Sequence, residues 1–181
     1  MLQKNKKRTS PAKTVALVGM CAAITECGKL VLASVPNVEV VTILTALFGY
    51  VFGIYGLLST VLFVFMEMMI WGVNTWVISY FIYWPALAAL FWLLGKVRLK
   101  NRILLTLAAL VMTFLFGVIS SLVEIGLFQG YFDKFFTRFF IYYSRGVGVY
   151  AAQIVTNLLL FPLLFRFLAG KLYIVKRKFF S

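Results

Sequence analysis

The sequence predicts an all-α integral membrane protein of six transmembrane helices, with both termini on the cytoplasmic side. Three observations predict it. The 181 residues are 63% hydrophobic and only 13% charged, with a mean hydropathy of +0.99. That balance belongs to polytopic membrane proteins rather than soluble or disordered chains. The apolar residues gather into six stretches, most near the ~20 residues that cross a ~30 Å hydrocarbon core. In that core a segment must satisfy its own backbone groups, so open strands are excluded. Finally, Lys and Arg collect in three places that six crossings put on one side. The net charge of +13 would suggest nucleic acid in a soluble protein; here topology accounts for it. The whole chain reads as one membrane domain.

The first stretch, about 12–34, follows a basic tail that holds Lys4, Lys6, Lys7, Arg8 and Lys13. A basic tail before an apolar run imitates a secretion signal, but this run is long enough to span and reads as a retained helix. It carries Ala12, Ala16, Gly19 and Ala23, spaced four, three and four. Such a stripe of small residues lets helices approach closely. It serves either packing within the protein or docking of another membrane subunit. Glu26 lies past the middle, and Lys29 is the local partner that helical spacing offers it. Cys21 and Cys27, six apart, fall on different faces, so no disulfide is expected between them.

Pro36 is the expected end of this helix, because it disfavours helix before it and lacks an amide donor. Asn37 and Glu39 follow in the first outer loop. The second and third stretches, about 39–54 and 55–72, run together, and only Gly49, Gly53 and Gly56 mark a turn. Glu67 falls near the outer end of the third. The segment MIWGVNTWVISYFIYW then supplies Trp71, Asn74, Trp76, Tyr80 and Trp84 around the second outer loop.

The fourth stretch, about 77–95, leads to a loop with Lys96, Arg98, Lys100 and Arg102. The fifth, about 103–127, has Glu124 near its outer end. FQGYFDKFFTRFFIYYSRG reads as a long third outer loop with Tyr131, Asp133 and Arg145. The sixth, about 140–169, carries Gln153 and Asn157 four apart, hence on one face. Hydrogen bonding inside the bundle and ligand contact are both open to that pair. Lys171, Lys176, Arg177 and Lys178 close the chain.

All five acids fall in the outer half. The positive-inside rule concerns Lys and Arg and leaves this unexplained. Charges within spans are costly and usually face a cavity or a partner. An interfacial belt accounts for many of the Trp and Tyr residues, but not for Asn37, Asn74 and Gln129 in three outer loops. Loops converging on one mouth would make a concave site with aromatic walls and a few polar anchors. The chain has no histidine, no phosphate-binding G-x-x-x-x-G-K-[ST], no H-E-x-x-H and no G-x-S-x-G. Nor do two halves of the chain resemble each other, as they do in many self-sufficient transporters.

The basic tail, the small-residue first helix, the run PNVEVVTILTALFGYVFGIYG at 36–56 and the aromatic outer loop together resemble the substrate-binding S component of energy-coupling factor (ECF) vitamin transporters. The resemblance spans the chain at the level of six helices. Its specific part is Pro36, Asn37, Glu39 and Thr42 with Gly49, Gly53 and Gly56. It implies a multi-pass protein of a prokaryotic plasma membrane that binds a vitamin from outside. It implies partners: a transmembrane coupling subunit and two cytoplasmic ATPases, where ATP would be hydrolysed. The S component itself would be no enzyme and hold no cofactor, the vitamin being its substrate. It would topple in the membrane to deliver its ligand. An alanine-x-x-x-alanine motif on the first helix usually touches the coupling subunit; Ala12 and Ala16 match it, while Met20 departs from its continuation.

Candidate ligand contacts under this resemblance are Asn37, Glu39, Glu67, Trp71, Asn74, Trp76, Tyr80, Trp84, Tyr131, Arg145 and Gln153. The candidate partner face is Ala12, Ala16, Gly19 and Ala23. No metal site is expected. PNVEVVT with a Tyr/Trp-rich loop is most similar to S components for cobalamin and related corrinoids. Related members serve queuosine precursors and other vitamins. A self-sufficient small transporter or channel is the competing expectation. A lipid-modifying enzyme is a third, disfavoured because the cytoplasmic half holds no acid.

Overall fold

The computed structural model describes residues 10–33, 40–128 and 130–180. These residues form helices α1 (Pro11–Val31), α2 (Val41–Phe52), α3 (Ile54–Trp71), α4 (Thr75–Lys96), α5 (Arg102–Phe128), α6 (Phe135–Leu160) and α7 (Arg166–Phe179). A π-helical turn, Phe161–Phe165, joins α6 to α7. Among the described residues there is no strand.

Local chemistry sets the boundaries. Pro11 opens α1 at a position where its missing N–H costs nothing. Gly53, at φ 67°, turns the chain between α2 and α3, and its N–H caps the Gly49 carbonyl at 2.9 Å. That left-handed backbone is what glycine permits. Gly49 serves a different purpose: a Cβ there would lie 2.4 Å from the Ala88 carbonyl oxygen of α4. Pro162 denies the α6–α7 rod one backbone donor, and the helix widens there into the π turn. Phe161 and Phe165 stack across that turn, 5.2 Å apart, and both lie against Phe91 of α4.

The core is built around α2. Every residue of α2 except Leu44 and Tyr50 is buried, between α4 and α3, with α7 along one end. α1 packs mainly on α3, and α5 on α6 and α4. Five helical segments are long and apolar enough to cross a membrane: α1, α3, α4, α5 and the continuous α6–α7 rod. α2, at 12 residues, is only about 18 Å long. Against the six spans expected, the described residues hold five helical segments of spanning length and one short apolar helix, α2, packed among its neighbours.

A second difference concerns the third outer loop. α6 begins at Phe135, five residues before the expected start near 140, so Phe135–Phe139 of the expected loop are helical, continuous with Tyr142, Tyr143 and Arg145. The aromatic run is a stacked stripe: Phe135 on Phe139 at 6.1 Å and Phe139 on Tyr143 at 5.8 Å, each four residues apart. Helical spacing had been hidden by the density of rings.

The bundle has two chemically distinct ends. Lys13 Nζ donates to the Phe179 carbonyl at 3.0 Å, Tyr50 Oη to that of Leu99 at 2.8 Å, and Lys176 Nζ to that of Val51. These bonds gather the start of α1, the α2–α3 turn, the α4–α5 connection and the end of α7. That basic end also carries Lys96, Arg98, Lys100 and Arg102, with no acid among the described residues. Glu26, Glu67, Glu124 and Asp133 lie toward the other end.

Candidate ligand-binding site at the acidic end

The site starts from a lysine in an unusual place. Lys29, on the last turns of α1, forms an ion pair with Oε2 of Glu67 on α3. Glu67 is fully buried, whereas the lysine side chain is 25% exposed. The same ammonium stands over three rings: Trp76 at 5.1 Å, Tyr80 at 5.4 Å and Trp71 at 5.9 Å. Ring faces are electron-rich and attract such a cation. Helical spacing offers Lys29 to Glu26 as one local partner; the ion pair is made with Glu67 on α3 instead.

The rings come from one face of α4. Trp76, Tyr80 and Trp84 are four residues apart and meet edge-on, at 5.1 and 5.5 Å. Trp71, at the end of α3, meets Trp76 at 6.5 Å. Trp84 packs against Phe63, one turn before Glu67 on α3. Phe116 of α5 closes the back, 4.9 Å from Tyr83 and 6.0 Å from Tyr150 of α6.

Glu26 completes the cluster. It is 3% exposed, and its carboxyl faces that of Glu67. Among the described residues, neither Glu26 oxygen, nor Oε1 of Glu67, nor Nε1 of Trp84 has a hydrogen-bond partner. Buried polar groups are almost always paired, so each exception calls for an explanation. Two carboxyls this close either share a proton, one donating to the other, or call for a second cation beside the single ammonium of Lys29.

Of the predicted site residues, Glu67, Trp71, Trp76, Tyr80 and Trp84 come together here. Asn74 braces their loop, with Nδ2 donating to the Trp71 carbonyl at 3.1 Å. Asn37 and Glu39, and Gln129 with them, lie outside the described residues. Tyr131 is exposed and donates to the Leu122 carbonyl at 3.1 Å; Arg145 is exposed over Tyr142 of its own helix. Gln153 is buried on α6. One turn on, Asn157 Nδ2 donates to Thr113 Oγ1 of α5 at 3.0 Å, which gives Asn157 the bundle role. Glu26 and Lys29 belong to the cluster although neither was a candidate contact. Their sequence signal was two in-span charges at the same depth as Glu67.

The small-residue stripe faces away from the bundle. Ala12, Ala16 and Ala23 are exposed, and Gly19 has nothing within 4 Å of where a Cβ would stand. Surface hollows occur at the basic end. One of about 150 Å³ lies beside Tyr50, Lys100, Arg166 and Tyr173. It contains no acid and is separate from the carboxyl cluster.

In comparison with known proteins, no family model matches this chain, and no curated protein and no solved structure matches it.

Proposed function

We propose that this chain is the substrate-binding S component of an ECF-type transporter, taking up a vitamin or related micronutrient. The observation that carries the reading is the buried carboxyl pair set against an aromatic wall at the end opposite the basic residues. In this reading the basic end faces the cytoplasm, and the acidic end opens outward in a prokaryotic plasma membrane. The ligand enters beside Trp71 and Trp76 and is held by Glu67, Tyr80 and Trp84. The exposed Ala12–Ala16–Gly19–Ala23 face meets the transmembrane coupling subunit, and two ATPase subunits drive the cycle from the cytoplasm.

The resemblance directs the ligand toward cobalamin or a related corrinoid. A second reading, a queuosine precursor or another vitamin, is favoured by one observation. Glu26 and Glu67 ask for positive charge and N–H donors, which basic micronutrients supply. Uptake in cells separates a receptor from a self-sufficient transporter or channel. The chain expressed with the coupling subunit and both ATPases accumulates labelled vitamin; the chain alone binds it without accumulation. Accumulation by the chain alone would establish the self-sufficient reading instead.

A further inference from the structure

We propose that Glu26 is the anchor for a cationic, N–H-bearing group of the ligand, such as a protonated primary amine or an amidinium. This deepens the receptor reading above and rests on it. Lys29 neutralises one carboxylate of the pair, that of Glu67. Glu26 is left buried, its carboxyl against that of Glu67 and without a cation of its own among the described residues. Two carboxyls side by side in an apolar setting ionise together only when a second cation joins them; otherwise they hold a proton between them. The surroundings suit a second cation. Trp76 and Tyr80 already present their faces to an ammonium, and Trp71, half exposed beside Trp76, leaves apolar ring surface for the body of the ligand.

The oxygens also select the kind of cation. Glu26 Oε1 and Oε2 and Glu67 Oε1 are three acceptors without donors. A primary ammonium brings three N–H donors, and an amidinium brings a planar fork that matches a carboxylate. A quaternary ammonium brings charge but no donor. It would satisfy the rings and leave the oxygens bare.

The test uses the full-length chain purified in detergent, with tryptophan fluorescence as the readout. The probes are benzylammonium and benzamidinium, with benzyl alcohol and benzyltrimethylammonium as the neutral and donor-free controls. The two N–H cations should bind, and both controls should bind at least about tenfold more weakly. Glu26→Gln keeps the shape and the Lys29–Glu67 pair. It should weaken the N–H cations about ten- to hundredfold, as loss of a charged hydrogen bond does. It should leave benzyl alcohol unchanged and the thermal midpoint no lower. Equal binding of all four probes, no binding of any, or an unchanged affinity in Glu26→Gln overturns the proposal. If Glu26→Gln does not fold, wild-type selectivity among the four probes decides. The receptor reading can fail separately. Glu26-dependent amine binding with no vitamin bound would keep this inference and remove that reading. Tight vitamin binding indifferent to Glu26→Gln, with no amine bound, would do the reverse.

Discussion

Lys29 of α1 reaches across to the buried carboxylate of Glu67 on α3, while Glu26, on its own helix, is left outside the ion pair. The pair joins the first helix to the third at the end where the aromatic wall stands. Its two members are unequal, because Lys29 can reach solvent and Glu67 cannot.

That inequality predicts an asymmetry. Lys29→Met strands a buried carboxylate and should cost about 3 kcal/mol. Glu67→Gln frees an ammonium that can turn to water and should cost about 1 kcal/mol. The double variant should recover most of the Lys29→Met loss. Thermal unfolding in detergent reads the order, and equal losses would mean that the pair is effectively solvated.

Close helix approach at α2 predicts a second result. Gly49→Ala puts a methyl group 2.4 Å from the Ala88 carbonyl oxygen and should destabilise the fold by about 2–3 kcal/mol. Gly148, also helical, has nothing within 4 Å. Gly148→Ala should be neutral or stabilise by about 0.5 kcal/mol. Similar behaviour of the two variants would contradict the α2–α4 packing described above.

Asn157 and Thr113 offer a measurement of polar coupling between helices. A double-mutant cycle with Asn157→Leu and Thr113→Val should give an interaction of about 0.6 kcal/mol, the usual size inside membranes. A value near zero would show that the 3.0 Å bond contributes no net stability.

The outward stripe on α1 separates stability from assembly. Ala16→Leu adds bulk to an exposed position and should leave the thermal midpoint and ligand affinity unchanged. Under the proposed function it should abolish co-purification with the proposed coupling subunit. Intact co-purification would move the partner interface to another face.

Much of this architecture was legible in the sequence because apolar runs and Lys/Arg clusters follow directly from the demands of a bilayer. The two-ended charge distribution followed from counting crossings. Helix limits were harder. The turn at Gly53 was visible as a glycine, and the second stretch, about 39–54, was already the shortest, but the burial of nearly all of α2 depends on its neighbours, which no local pattern records. The run from Phe135 to Phe139 looked like loop because its aromatic residues are dense, although every fourth ring stacks. Within the site, the α4 rings were readable from spacing. The choice of Glu67 over Glu26 by Lys29 was not, because it depends on how α1 lies against α3. The direction of the small-residue stripe had the same tertiary origin.

The most direct measurement is equilibrium binding to the purified chain in detergent, with cobalamin first, then queuosine precursors and the common water-soluble vitamins. The account predicts tight binding of one of them, at a nanomolar dissociation constant, without any partner subunit present. Binding of cobalamin would fix the substrate as a corrinoid, and binding of a basic micronutrient would fix it as the ligand that Glu26 demands. No binding across the whole panel would contradict the receptor function.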